Sequence, residues 1–153
     1  MMWQLLAKAL ALPWVAQWLY RRALRTPYTP LPDYMDRWWL FNAYDSPKHR
    51  EWLPSVRMHH ILRPDKDPHL HDHPWNARTI ILGGYYVEQK LDGRMHVRTP
   101  GDTVPLKFGE FHRIAAMHSD GAWTLFITWR YQGTWGFMVD GAKVPYKTYL
   151  GVE

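Results

Sequence analysis

Three histidines stand at alternate positions, His69, His71 and His73, in the run Pro-His-Leu-His-Asp-His-Pro-Trp. In an extended chain, side chains at i, i+2 and i+4 point to the same side. Two or three imidazoles then converge on one point, which is what a metal ion needs. Histidine is the commonest metal ligand among side chains, and neutral imidazole suits several first-row divalent ions. The pattern points to a metal site and leaves the reaction open.

The elements that must position these residues read as short strands. Ten Trp, nine Tyr and five Phe, with twelve Pro and ten Gly, favour strands and turns over a helical bundle. Strand candidates cover residues 37–41, 56–62, 76–89, 95–99, 103–108, 111–116, 122–131, 133–139 and 144–149. Gly83-Gly84 predicts a bend or bulge inside 76–89. Leu91-Asp92-Gly93-Arg94 has the Asp-Gly mark of a tight hairpin. Further turns are expected at residues 65–68, Ser119-Asp120-Gly121, Gln132-Gly133 and Asp140-Gly141. Many short strands with regular turn signals indicate an all-β sandwich or barrel.

A chain of 153 residues is most simply one domain. It has no cysteine, which excludes disulfides, thiolate zinc sites, iron–sulfur clusters and thiol nucleophiles. The net charge of +5 is carried by scattered basic residues, so no nucleic-acid partner is expected. There is neither a phosphate-binding glycine loop nor a serine nucleophile elbow.

Residues 1–20 are strongly apolar, and Arg21, Arg22 and Arg25 follow, the reverse of the charge order of a signal peptide. Gln4, Lys8, Pro13 and Gln17 interrupt the run as a membrane span. Trp3, Leu6, Leu10, Trp14 and Trp18 form a stripe at three- to four-residue spacing. This predicts an amphipathic helix over residues 1–25, kinked near Pro13, with its Trp/Leu face packed on the domain. The alternative is contact with a membrane surface or a partner protein. Residues 26–33 hold three prolines and read as an extended linker, leaving 34–150 as the β domain. A cytoplasmic location follows, with peripheral membrane attachment as the alternative.

His71-Asp72-His73 followed by Gly83, and then Pro105-Leu106-Lys107-Phe108-Gly109-Glu110-Phe111-His112, resemble the two motifs of the cupin superfamily. More narrowly, Tyr34-Met35-x-Arg37-Trp38, His71-Asp72-His73-Pro74-Trp75, Gly83-Gly84-Tyr85, His112-Arg113-Ile114 and Trp135-Gly136-Phe137 resemble a group of small cupin-like proteins of bacteria and phage. The resemblance implies a double-stranded β-helix, the cupin jelly-roll barrel, with an N-terminal helical extension. It also implies a divalent metal (Fe, Zn, Mn or Ni) on His71, His73 and His112, with His69 as a substitute or supporting group. Where the cupin glutamate ligand usually stands, this chain has Ala77 and Arg78. Either three histidines suffice, or a displaced acid such as Glu88 completes the set.

Around that site, Arg78 is a candidate for pairing an anionic substrate. Glu88 is a candidate ligand or general base, and Tyr86 a candidate acid. Asp72 or Glu110 would orient the imidazoles. His60 would line a barrel mouth if Met58 and Leu62 share its face, and His59 and His96 read as structural. The leading function is a metal-dependent dioxygenase or isomerase acting on a small polar or anionic molecule. The alternative is a non-catalytic binding or assembly protein whose Trp/Leu helix docks a partner or membrane. A third reading is a metal-free epimerase with His71 or His73 as base and Tyr86 as acid. Homodimerisation by sheet-on-sheet contact is permitted by the aromatic surface. An accessible pocket beside the histidines favours an enzyme, whereas a closed ligand set favours a structural ion.

Overall fold

Two long antiparallel strands, β4 (Trp75–Lys90) and β7 (His112–Tyr131), organise the chain in a computed structural model that describes residues 1–152. They pair from Trp75↔Tyr131 to Lys90↔His112, with four register shifts on the way. On its second edge β4 pairs with β6 (Thr103–Leu106) through its first half and with β5 (Met95–Arg98) through its second. On the far side of β7 follow β3 (Ser55–Ile61), β2 (Met35–Phe41) and β1 (Pro27–Leu31). A hairpin of β8 (Gly136–Val139) and β9 (Ala142–Pro145) joins at His71, whose backbone bridges to His112 and to Phe137.

The two-residue period of a strand gives this curved sheet two different faces. Met58 of β3, Ile80 and Leu82 of β4 and Leu125 of β7 point outward into one apolar cluster. The alternate residues Arg57, His59, Thr79, Thr124 and Phe126 point inward and line a cavity. Two helices, α1 (Met2–Leu10) and α2 (Pro13–Ala23), cover the outer face. Each large apolar side chain buried there contributes roughly 1.5–3 kcal/mol.

The break between the helices falls just before Pro13, which stands at the first turn of α2, where its missing N–H costs nothing. The packing face is narrower than the aromatic stripe of the sequence. Trp3, Ala7, Leu10, Leu19, Tyr20 and Ala23 meet the sheet, whereas Trp14 and Trp18 stay exposed at 72% and 64%. The break at Ala11-Leu12 interrupts the helical period, so one stripe does not run through both helices. Among the described residues, no helix is long and apolar enough to cross a membrane.

Several boundaries differ from the sequence reading. Residues 27–31 of the expected linker form β1 and pair with β2. The expected turn at Ser119-Asp120-Gly121 lies inside β7, and the two strands foreseen at 111–116 and 122–131 are one. Gly121, at φ +82°, makes the bend there without reversing the chain. Residues 144–149 divide between β9 and a short helix, α3 (Tyr146–Leu150). His60 does not reach a barrel mouth, because it stacks on Trp123 at 4.0 Å, while Met58 is buried beneath the helices. The Asp140-Gly141 hairpin is as expected, with both residues at positive φ as a type I′ turn requires.

Gly83-Gly84 does sit at a bulge, with register shifts on both sides. Gly84 has φ +67°, and a Cβ there would lie 2.1 Å from the carbonyl oxygen of Gly121, a backbone atom that cannot rotate away. Gly84→Ala is therefore expected to lower stability by at least about 2 kcal/mol, measured as a drop in the urea midpoint. An unchanged midpoint would contradict this crossing geometry.

Candidate metal centre

Isolated β-bridges hold the segment carrying His71 and His73 between β7 and β8. The His71 N–H donates to the His112 carbonyl at 2.9 Å, and the His112 N–H returns the bond at 2.9 Å. Asp72 N–H donates to Gly136 O, and Met138 N–H to Leu70 O. With the backbone fixed on both sides, the two-residue period sends His71 and His73 the same way. His112, the first residue of β7, meets them. One ligand nitrogen from each ring falls within 4.8 Å of the others.

The donor set fits a divalent ion. His73 Nε2 and His112 Nε2 lie 3.0 Å apart, close to the ~3.0–3.4 Å edge that joins two nitrogens each ~2.1 Å from one ion. His112 Nδ1 is 2.8 Å from a Glu88 oxygen. A carboxylate can only accept, so the Nδ1 carries the proton and the Nε2 is the ring atom turned toward His73.

The surrounding acids divide their work differently from the sequence expectation. Glu88 is buried at 1% exposed and is bonded by His112, by Lys90 Nζ at 2.9 Å and by Arg98 Nη2 at 2.7 Å. Burial pushes its carboxyl up, but the hydrogen bonds and charges of His112 and Lys90 outweigh this and hold it well below the usual range. Glu88 is thus a partner of His112 rather than a displaced ligand or a free base. Asp72, also fully buried, accepts from Gly136 N–H at 2.7 Å and Lys143 Nζ at 2.5 Å, pinning the β8–β9 hairpin instead of an imidazole. Glu110 accepts from Lys90 and the Lys107 N–H. The acid nearest His71 is Asp65, 3.8 Å from its Nδ1 and held in place by Tyr34 O–H and Ile114 N–H.

Tyr86 reaches the cavity, where burial first, and the charge of Glu88 second, raise its phenol pKa and keep it protonated. Two expected residues lie elsewhere. Arg78 alternates with Thr79 and so faces outward, its guanidinium 4.6 Å from the Trp3 ring and donating to Thr103. His69 pairs with the Tyr149 hydroxyl at 2.8 Å and is not among the three clustered histidines.

The inward face supplies Arg57, which the sequence reading passed over, and His59, which it took as structural. The cavity, about 490 Å³, is lined by the three histidines, Asp65, His59 and Arg57. Arg57 is 3% exposed and donates to the Tyr44 hydroxyl at 2.7 Å. Arg57 and His59 carried a signal in their inward period, alternating with apolar Val56 and Met58 on the outer face.

Burial, and then the neighbouring positive charges, push the ionisation of His59 and His73 well below the ordinary value. Burial and His112 bring His71 down to about 4. In the unfolded chain these groups titrate near ~6.5. Between that value and the folded one the unfolded state holds more protons, so stability falls as pH falls. For His71 the window runs from ~6.5 down to about 4. The urea-unfolding free energy of the metal-free chain is expected to fall between pH 7 and pH 5. The slope below ~6.5 is on the order of 1.4 kcal/mol per pH unit for each histidine held neutral. A flat profile would contradict neutral His59, His71 and His73.

No protein-family model matches this sequence, and no curated protein matches it. Solved structures do. A candidate mannose-6-phosphate isomerase of Ralstonia eutropha is 15% identical with a TM-score of 0.54, over 67% of this chain and 90% of that one. A sugar phosphate isomerase of the cupin superfamily from Silicibacter pomeroyi is 16% identical with a TM-score of 0.53, over 75% of each chain. A cupin-like protein of Thermotoga maritima is 16% identical with a TM-score of 0.51, over 83% of this chain and 93% of that one. At these identities the likeness is one of fold. Mostly antiparallel strands around a histidine-lined cavity, with a short helical extension before them, make this chain a protein of the cupin fold.

Proposed function

We propose that the chain is a metal-dependent enzyme of the isomerase type, with its centre on His71, His73 and His112 and a small polar substrate in the adjoining cavity. The observation that carries this reading is the convergence of three imidazoles on the wall of an accessible cavity of about 490 Å³. A structural ion is normally enclosed by its full ligand set, whereas three histidines beside a cavity leave positions open. That favours an enzyme over the non-catalytic alternative. Iron, zinc, manganese and nickel all accept imidazole, and the donor set does not choose among them. An ion bound there supplies Lewis acidity toward a carbonyl or hydroxyl oxygen and, if it is iron, a site for oxygen chemistry.

The isomerase type draws support from the two fold neighbours described as sugar or mannose phosphate isomerases. Isomerisation also needs a group that moves a proton, and Tyr86 keeps its phenolic proton, as an acid must. Glu88 takes no part in proton transfer, since three cationic or N–H donors hold it, and its work is to aim His112. A dioxygenase would use the same three histidines without the Tyr86 proton.

Elemental analysis of untagged protein tests the centre. Near-stoichiometric metal is expected in the wild type and none in His71→Ala/His73→Ala. Absence of metal from the wild type, even after reconstitution, would sink the reading. Glu88→Gln is expected to weaken metal binding about 10–100-fold, the usual cost of losing a histidine's carboxylate partner, as followed by competition with a chromophoric chelator. Unchanged affinity would remove Glu88 from that role.

A further inference from the structure

Four buried side-chain nitrogens lack a hydrogen-bond partner among the described residues, and three of them belong to residues lining this one cavity. They are Arg57 Nε, His59 Nε2 and Trp75 Nε1. The three residues are also neighbours. Arg57 Cζ lies 5.5 Å from the Trp75 ring and 5.3 Å from the Phe126 ring, and His59 stacks on Phe126 at 5.1 Å. Buried polar groups are nearly always satisfied, so a cluster of unsatisfied ones calls for a ligand.

Charge narrows the ligand. Arg57 is a buried cation, and among the described residues no carboxylate lies within ion-pair distance of it. Trp39, Tyr44, Trp75 and Phe126 stand 5.3–5.5 Å from its Cζ. Their faces stabilise the positive charge but accept no directed N–H bond. The guanidinium makes a single hydrogen bond, from Nη1 to Tyr44, leaving Nε without one. Of the three acids on the cavity wall, Asp65 is held by Tyr34 and Ile114, Asp72 by Gly136 and Lys143, and Asp67 sits beside the Tyr149 hydroxyl. A second wall cation, Arg37, already donates from Nε to Thr29 O at 2.8 Å and lies over Tyr28.

We propose that Arg57, with Trp75 and His59, binds the carboxylate of a small organic acid inside the barrel. One buried positive charge balances one negative charge, which a carboxylate carries near neutral pH and a phosphate monoester exceeds. A carboxylate also offers two oxygens with about four acceptor positions, enough for a side-on guanidinium fork, the indole N–H and the imidazole N–H. Arg57 Cζ and the His73 ring lie 5.3 Å and 5.4 Å from the Phe126 ring, so they are at most about 11 Å apart. The histidine cluster is thus within reach of a molecule anchored at Arg57. This gives the substrate class of the site proposed above and rests on that reading only for turnover, not for binding.

The test uses the full chain, stripped of metal by a chelator that is then dialysed away. Straight-chain monocarboxylates from acetate to hexanoate are titrated in near neutral pH, beside the matching primary amides and alkyl phosphates. The readout is the indole N–H resonance of Trp75, identified with Trp75→Phe. A saturable shift is expected with carboxylates and none with amides. Arg57→Lys is expected to weaken binding about 10-fold and Arg57→Met on the order of 100-fold, as for truncation of one partner in a buried charge pair. Arg57→Met replaces an unpaired buried cation with an apolar chain, so its melting temperature should not fall. If it fails to fold, Trp75→Phe serves instead, its binding followed by calorimetry and expected to be about 10-fold weaker for the loss of a donor to a charged group. No saturable shift, equal binding of amides, tighter binding of alkyl phosphates, or full affinity in the folded variant would each overturn the proposal. Because no metal is present, these outcomes bear on Arg57 alone, whereas a chain that binds carboxylate but never metal would fail only the metal-centre reading.

Discussion

The ladder between β4 and β7 is the constraint from which the site follows. Its register sets Lys90 opposite His112 and Glu88 opposite Ile114, so Glu88 and His112 lie next to each other on adjoining strands. The Glu88 carboxylate then meets His112 on one side and Arg98 of the neighbouring β5 on the other. A slip of β4 by one residue would turn Glu88 outward and away from His112. The bulges at Gly84 and Gly121 let both strands bend and keep pairing, which is how one pair of strands contributes to two regions of the wall.

The same alternation separates two chemistries across a single layer of backbone. Outward, β3, β4 and β7 present Met58, Ile80, Leu82 and Leu125 to the helices. Inward, they present Arg57, His59, Thr79 and Phe126. Burying a guanidinium and an imidazole so close together costs stability, and burial and the Arg57 charge push His59 toward its neutral form. A core optimised for stability alone would carry apolar residues there. Polar groups kept inside a barrel at such a cost mark a working interior.

Much of this arrangement was legible in residue types and spacing. Alternate histidines with a later Gly-x-x-His placed His71, His73 and His112, because a period of two is a property of any extended chain. Gly83-Gly84 and Asp140-Gly141 marked their bend and turn, since the backbone angles there demand such residues. Tertiary register was not legible. Alternation sets Arg57 on the face opposite Val56 and Met58, but only the pairing of the strands turns that face to the cavity and sends Arg78 toward the helices. Ser119-Asp120-Gly121 has turn chemistry, but pairing with β4 before and after it, and with β3 after it, keeps the chain in one strand. Asp72 sat among histidines and read as their partner, whereas its bonds to Gly136 and Lys143 come from residues more than sixty positions away.

The backbone of His71 is bonded to β7 on one side and bridged to β8 on the other, while its imidazole projects from that tie. Main chain holds the place, and side chain supplies the function. Such a position is a socket: the sheet is closed by atoms that every residue except proline possesses. Over evolutionary time the imidazole can be exchanged for a carboxylate or an amide without asking the scaffold to change shape. The strands keep their places whichever side chain stands there.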